Sequence, residues 1–271
     1  MSLLFSNRPK SPLKFFTLLL SAILSISVFS QEAALEQQTD EPETVNQVKF
    51  MTQDKFMLSG QYYAGKADHS GVLLLHDCSN DSRSYDKLTE LLAQYGLHAF
   101  ALDLRGHGDS VNEKFSHYNV KRNSKDIVTY QSETARISSY WQSDVMEAFN
   151  YLRTKVNKKR DIAVVTAGCS SAQAVFLAQK MRIKSFVMIS PTLNYMEKEH
   201  YKNLIDIPVY FIDSAHHADT YQTSKELFDW NGDSRSIFQI FKGIKQGHSL
   251  LKSKRYLSHD VALWLDDTLS K

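Results

Sequence analysis

The residues with the clearest chemical potential lie in the run IAVVTAGCSSAQA, from Ile162 to Ala174. An apolar stretch ends there at the letters GCSSA, and a helical pattern follows. A strand that passes directly into a helix turns so sharply that the apex residue is strained and its side chain is exposed. We predict Ser170 at this apex, flanked by the small residues Gly168 and Ala172 in a pattern close to G-x-S-x-G. Taken alone, the motif fits a plain structural turn equally well.

The N-terminus differs from the rest of the chain and is predicted to direct export. Three basic residues, Arg8, Lys10 and Lys14, precede the apolar run 15–29, and small residues follow at the spacing of a cleavage site. This pattern predicts a secretory signal peptide over residues 1–30. An uncleaved membrane anchor is the alternative, but the apolar run is shorter than the roughly 20 residues that a spanning helix needs.

Composition constrains the part of the chain after the signal peptide. The chain has 271 residues, 42% of them hydrophobic, which suffices for one substantial core. Residues 31–46 are acidic with few large apolar side chains, so we predict a disordered linker there and one folded domain over 47–271. The net charge of +2 includes the basic residues of the signal peptide, and the mature protein is nearly neutral. This balance indicates neither nucleic acid nor an anionic membrane surface as a partner.

The domain sequence alternates strands with helices. Apolar runs and helical spacing predict strands at 48–51, 56–63, 71–76, 98–104, 162–166, 185–189, 209–212 and 236–241, and helices at 85–95, 141–156, 172–181, 223–230 and 256–269. Buried strands that alternate with helices specify a largely parallel sheet covered on both faces. Ligands of such α/β sheets bind at the carboxyl ends of the strands.

Polar clusters follow the ends of these strands, and their order resembles that of the α/β-hydrolases. The most specific match is GLHAFALDLRGHGDS at residues 96–110, together with the strand GVLLLH, the turn at Ser170 and the late histidine His248. The resemblance covers the chain from about Val48 to Lys271. It implies an α/β-hydrolase fold, with a mostly parallel central sheet and helices on both faces. The connection from Ser190 to Pro208, where many family members insert a cap domain, is short, which predicts no large cap domain.

The resemblance also implies a catalytic triad in the chain order serine, acid, histidine. Ser170 would be the nucleophile, and His248, in the turn KQGHSLL, would be the base. An ordinary loop histidine is the alternative for His248. Asp219 and Asp213 compete for the acid, and we prefer Asp219 because a carboxylate further into the loop can reach across to the histidine.

Two backbone N–H groups, those of Ser171 and Cys78, are predicted to form the oxyanion hole, with Asp77 itself as the alternative to Cys78. Asp77 stands where the family commonly has glycine, which places an anionic side chain near this hole. Cys78 and Cys169 both fall at the site. We favour free buried thiols over a disulfide, and a third option is Cys169 as the nucleophile, as in dienelactone hydrolases.

The sequence therefore predicts an exported, periplasmic or secreted, serine hydrolase that acts on carboxylic esters through an acyl-enzyme on Ser170. A non-catalytic hydrolase-like binding protein, or a peptidase or acyltransferase on the same triad, are the alternatives. We expect a small ester or acyl substrate, no cofactor, no metal at His216-His217, no nucleic acid and no stable membrane insertion after signal cleavage. The polar excursion 111–139 either walls the pocket or is a solvated loop.

Overall fold

The computed structural model describes residues 45–204 and 206–270, all of which fall in one structural unit. The predicted signal peptide lies outside these residues, as does the predicted linker up to residue 44. The last residue of that predicted linker, Asn46, already begins the first strand. The first strand therefore begins one residue before the predicted domain boundary.

Eight strands within the described residues form one sheet in the order β1-β2-β4-β3-β5-β6-β7-β8. The pairs β1–β2 and β2–β4 are antiparallel, and every other neighbouring pair is parallel. The mostly parallel sheet of the prediction is confirmed. The strands are β1 (Asn46–Met51), β2 (Met57–Tyr63), β3 (Gly71–Leu75), β4 (His98–Asp103), β5 (Ile162–Ala167), β6 (Phe186–Ile189), β7 (Val209–Ser214) and β8 (Ile237–Phe241).

Helices cover both faces of this sheet. In the described part of the chain they are α1 (Asp86–Gln94), α2 (His117–Asn123), α3 (Ile127–Ser138), α4 (Trp141–Lys155), α5 (Ser171–Lys180), α6 (Tyr195–Lys202), α7 (Ala218–Trp230), α8 (Gly247–Ser253) and α9 (Leu257–Ser270). Alternate residues of β3 enter different cores. Leu73 and Leu75 pack on the side of α4 and α5, whereas Val72 and Leu74 pack on the side of α1 and α9. This two-sided burial explains the continuous apolar strands of the sequence.

The sequence did not predict the helices α2 and α3. The excursion 111–139 contains α2 and α3, which begin with N-cap hydrogen bonds from the side chains of Ser116 and Asp126. Ile137 is the buried residue of α3, and α2 buries none, so no apolar periodicity marks either helix.

Between β6 and β7 the chain forms the eight-residue α6, in agreement with the expected lack of a large cap. No helix among the described residues has the length and apolarity needed to cross a bilayer.

Candidate functional site

The turn between β5 and α5 places Gly168, and not Ser170, at its apex. Gly168 directly follows β5 and has a φ of +53°, in the left-handed region. Ser170 has a φ of −76° and a ψ of −7°, which are helical values. The prediction of Ser170 at the apex is therefore wrong. The strand continues through Ala167, which pairs with Ile189, and the chain then turns at the residue that adopts positive φ without a steric penalty.

Ser170 is a buried linker between two elements. Its side chain is fully buried, and its hydroxyl donates to the Leu75 carbonyl at 2.9 Å and approaches the Ala167 carbonyl at 3.1 Å. The same oxygen accepts the Ala167 N–H at 3.2 Å. These contacts use the single O–H donor of a serine. Ser170 thus ties the end of β3 to the elbow, and its hydroxyl does not face a substrate.

His248 lies at the start of α8, where its backbone N–H donates to Asp77 Oδ2 at 3.2 Å. Its ring packs edge-on near Tyr85, with 6.3 Å between the centroids, and Nδ1 is buried with no hydrogen-bond partner among the residues that the structure describes. Burial lowers the pKa of His248, and the Asp77 carboxylate partly offsets that effect. His248 lines a cavity of about 520 Å³ that contains no elbow residue and is lined by basic side chains, namely Arg83, Lys87, Lys252, Lys254 and Arg255.

Neither candidate acid serves His248. Asp219 is exposed in the first turn of α7, and within residues 45–204 and 206–270 no hydrogen bond joins it to His248. Asp213 is fully buried, and it accepts from the Ser214 N–H at 2.8 Å and from the hydroxyls of Thr220 and Ser224 at 2.9 and 2.8 Å. Burial raises the pKa of Asp213, and these hydrogen bonds oppose the rise. Asp213 therefore joins β7 to α7.

Asp77 is the charged group at the centre of the site, where the sequence predicted an anionic side chain near the oxyanion hole but assigned it no role. Its Oδ1 accepts from the Ser79 N–H at 2.9 Å and from Asn80 Nδ2 at 2.6 Å, while Oδ2 accepts from the N–H of His248. A Cβ atom added to Gly168 would lie 3.4 Å from the Asp77 Cβ. The Asp77 side chain thus lies between the elbow and α8, and its carboxylate contacts α8. The signal in the sequence was the aspartate in place of the usual glycine.

Cys78 and Cys169 form a disulfide, so the expectation of free thiols is wrong. Their Cα atoms lie 6.0 Å apart. The reason is the parallel pairing of β3 with β5, in which Leu75 pairs with Thr166 and the two following loops leave the sheet side by side. Because both cysteines are bonded, Cys169 has no thiolate to act as a nucleophile.

The predicted oxyanion hole also changes with the register of the elbow. The N–H of Ser171 donates to the Gly168 carbonyl inside the helical turn, so it is already used. With Gly168 at the apex, the residue after the apex is Cys169. The two positions that would supply the oxyanion donors, Cys78 and Cys169, are thus covalently joined through their side chains.

A polar cavity of about 400 Å³ lies over this disulfide. It opens at the carboxyl ends of β3, β5 and β6, where ligands of α/β sheets bind. The lining combines one carboxylate with hydroxyl and amide groups, contributed by Asp77, Cys78, Ser79, Asn80, Gly168, Cys169, Ser190, Thr192, Thr220, Gln246, Gly247 and Ser249. Such a lining offers hydrogen bonds to a polar molecule, but the glycine at the apex gives no side chain for a covalent step.

Buried groups fix the loops around the cavity. His76 Nδ1 donates to the Asp77 carbonyl at 2.7 Å, and Nε2 accepts the Leu104 N–H at 3.0 Å. This pattern requires a neutral ring, and burial lowers the pKa of His76 accordingly. Asp103 accepts the N–H groups of Ser82 and Asp109 at 2.8 and 3.0 Å. The loops after β3 and β4 therefore hold their shape without a ligand.

About half of the chain matches a known protein family. Residues 66–205 match the family described as serine aminopeptidase, S33. This segment contains the elbow and the loop after β3 but ends before Asp213 and His248. No curated protein matches the chain in sequence.

Solved structures of low sequence identity share the fold. DcsB, solved with a substrate analogue, is 12% identical with a TM-score of 0.65, and the match covers 84% of this chain and 99% of DcsB. A cold-adapted esterase from an Arctic intertidal metagenomic library is 16% identical with a TM-score of 0.60, over 84% and 95% of the two chains. The esterase Pf2001 of Pyrococcus furiosus is 14% identical with a TM-score of 0.58, over 84% and 92%.

Proposed function

This chain belongs to the serine aminopeptidase, S33, family of α/β-hydrolases, and from that premise we propose that it is a non-catalytic member that binds a small polar molecule. The observation that carries the proposal is Gly168 at the apex of the elbow. Acyl transfer by this family's fold requires a nucleophilic side chain at that point, beside the oxyanion donors. Glycine supplies none.

The surroundings of Gly168 support the same proposal. The Asp77 side chain lies against the apex through its Cβ, and its carboxylate, which accepts from the His248 N–H, adds a negative charge to the cavity that would hold a developing oxyanion. His248 lines a separate cavity. Within the described residues, the carboxylate that hydrogen-bonds to His248 is that of Asp77, and it accepts from the backbone N–H of His248. Binding needs none of the missing groups, because the hydroxyls, amides and carboxylate of the 400 Å³ cavity suffice to orient a polar ligand.

An exported carboxylesterase with the triad Ser170, Asp219 and His248 is the competing proposal, and a peptidase or acyltransferase would need the same triad. Each requires the Ser170 hydroxyl to leave its bond to the Leu75 carbonyl and to become exposed. That change would also break the hydrogen bond by which Ser170 joins β3 to the elbow. The geometry therefore favours binding over all three.

The deciding experiment treats the purified protein with a fluorophosphonate probe and, separately, with a short-chain nitrophenyl ester. We expect no labelling, and no ester turnover above that of the Ser170→Ala variant, because the buried hydroxyl has no base and no access to the probe. Circular dichroism would confirm that both proteins are folded. Labelling that disappears in Ser170→Ala would refute the non-catalytic proposal.

Gly168→Ser is the matched control for access to the apex. A Cβ atom there meets only Asp77 Cβ, at 3.4 Å, so a serine fits apart from the strain of its positive φ. We expect weak labelling of this variant, since its hydroxyl is exposed but has no imidazole partner. Labelling of the variant alone shows that the probe reaches the cavity and that the wild type lacks the nucleophile.

A further inference from the structure

We propose that the Cys78–Cys169 disulfide is a redox pair that accepts electrons from a dithiol compound or peptide entering the polar cavity. This activity goes beyond the proposed binding function and does not depend on it. Both cysteines line the cavity, at the place where hydrolases of this fold carry out chemistry. The disulfide is thus the electrophile available at a site that lacks a nucleophile.

The two sulfurs differ in accessibility. Cys78 is exposed in the loop after β3, whereas Cys169 is half-buried at the elbow. Thiol–disulfide exchange needs an approach along the S–S bond to one sulfur, and the rate depends on which sulfur can be reached. An incoming thiolate therefore attacks Cys78 Sγ.

The leaving group is Cys169, whose position favours the thiolate. Cys169 lies in the short helical turn Gly168–Ser170, which continues into the ten residues of α5. Unpaired N–H groups at the start of a helix, together with the helix dipole, stabilise an anion there and lower a thiol pKa. A more stable thiolate leaves faster. Exposure and helix position thus assign complementary roles to the two cysteines.

The reaction balances with a dithiol as the reductant. The first thiolate of the dithiol bonds to Cys78 Sγ, the S–S bond breaks, and its electron pair leaves on Cys169 Sγ. The second thiolate then attacks the sulfur of the dithiol in this mixed disulfide and releases Cys78. The dithiol becomes a disulfide, and the protein gains two electrons and takes up two protons as the thiolates are neutralised.

The fold does not depend on the S–S bond alone at this place. Ser170 Oγ binds the Leu75 carbonyl, Asp77 Oδ2 binds the N–H of His248, and β3 pairs with β5 along its whole length. None of these contacts involves sulfur. The loop after β3 and the elbow therefore remain together when the bond opens, which a reversible redox pair requires.

The test uses the full chain in its folded, oxidised form, without denaturant. We expect dithiothreitol to reduce the disulfide at least about tenfold faster than global unfolding measured under the same conditions, because Cys78 is an exposed residue. Brief treatment with glutathione, acid quenching and peptide mapping should place the glutathione on Cys78. Reduction at the rate of unfolding, or glutathione on Cys169, would overturn the proposal.

The double variant Cys78→Ser with Cys169→Ser separates redox chemistry from structural stapling. We expect it to remain folded by circular dichroism and to consume no dithiol. If the reduced protein and this variant both unfold at room temperature, the disulfide is required for the fold and the proposal fails. Fluorophosphonate labelling does not enter these measurements, so a failed redox test leaves the proposed function standing, and the reverse also holds.

Discussion

At the scale of single residues, the chemistry of the site depends on whether Gly168 or Ser170 lies at the apex of the turn between β5 and α5. Both Gly168 and Ser170 fit a tight strand-to-helix connection, and the sequence showed the connection without its register. The register depends on where β5 ends, and pairing with β6 extends β5 through Ala167. A glycine then takes the positive φ, because a side chain there costs about 1–3 kcal/mol. The pairing of β5 with β6, which is a long-range contact, thus determines which residue lies at the apex, and local spacing in the sequence does not.

Ser170→Ala should reduce stability although it removes no catalytic group. The change removes the hydrogen bond from the Ser170 hydroxyl to the Leu75 carbonyl, which still accepts from the Tyr85 hydroxyl at 3.1 Å, so we expect a loss of about 0.5–1.5 kcal/mol in the free energy of unfolding. Urea denaturation measures this loss. Ser79→Ala is the control, since Ser79 is exposed and its hydroxyl makes no hydrogen bond to any residue that the structure describes, and it should change stability by less than about 0.5 kcal/mol. Equal losses in the two variants would contradict a linking role for Ser170.

At the scale of elements, the loops after β3 and β4 are joined to α2 by three imidazoles. The rings of His76 and His107 lie 5.0 Å apart, and those of His107 and His117 lie 4.2 Å apart. Burial lowers the pKa of each, that of His107 to about 3. The motif DLRGHGDS indicated the strand and its turn from sequence. The cluster itself was not predictable, because His117 belongs to a helix that lacks an apolar pattern.

This cluster predicts acid sensitivity. Because the folded pKa of His107 lies below the ordinary value near 6.5, the unfolded chain binds more protons between those limits, and stability is lost as pH falls below about 6.5. One such group contributes up to about 1.4 kcal/mol per pH unit. Urea unfolding at a series of pH values measures the slope. His107→Gln should show a shallower slope than the wild type, and an unchanged slope would exclude His107 as a cause.

At the scale of the whole molecule, the chain order and the mostly parallel sheet followed from the alternation of apolar runs. The fold was predictable because strands such as GVLLL are buried on both faces, which leaves a clear signal in the sequence. The Cys78–Cys169 disulfide was not predictable, because the positions of two cysteines in a sequence do not show whether their loops lie close together in the fold. Disulfides persist in oxidising compartments, so the bond favours the export predicted from residues 1–30.

The predicted signal peptide implies a defined mature N-terminus. When the full gene is expressed in a secreting host, signal cleavage should yield a protein that begins at Gln31, because the apolar run ends just before it. N-terminal sequencing and intact mass measure this directly. Material from the same host that retains residues 1–30 would contradict the signal peptide and would support the membrane anchor.

The bond between Cys78 and Cys169 spans a sequence separation of 91 and closes a covalent ring. The ring contains β4 and β5, while β3, which lies between them in the sheet, comes before it in the chain. The exposed excursion 111–139 belongs to this ring as well. A single peptide-bond cut in that excursion would therefore open a loop without producing two molecules, and the central strands would stay tethered on both sides of the cut.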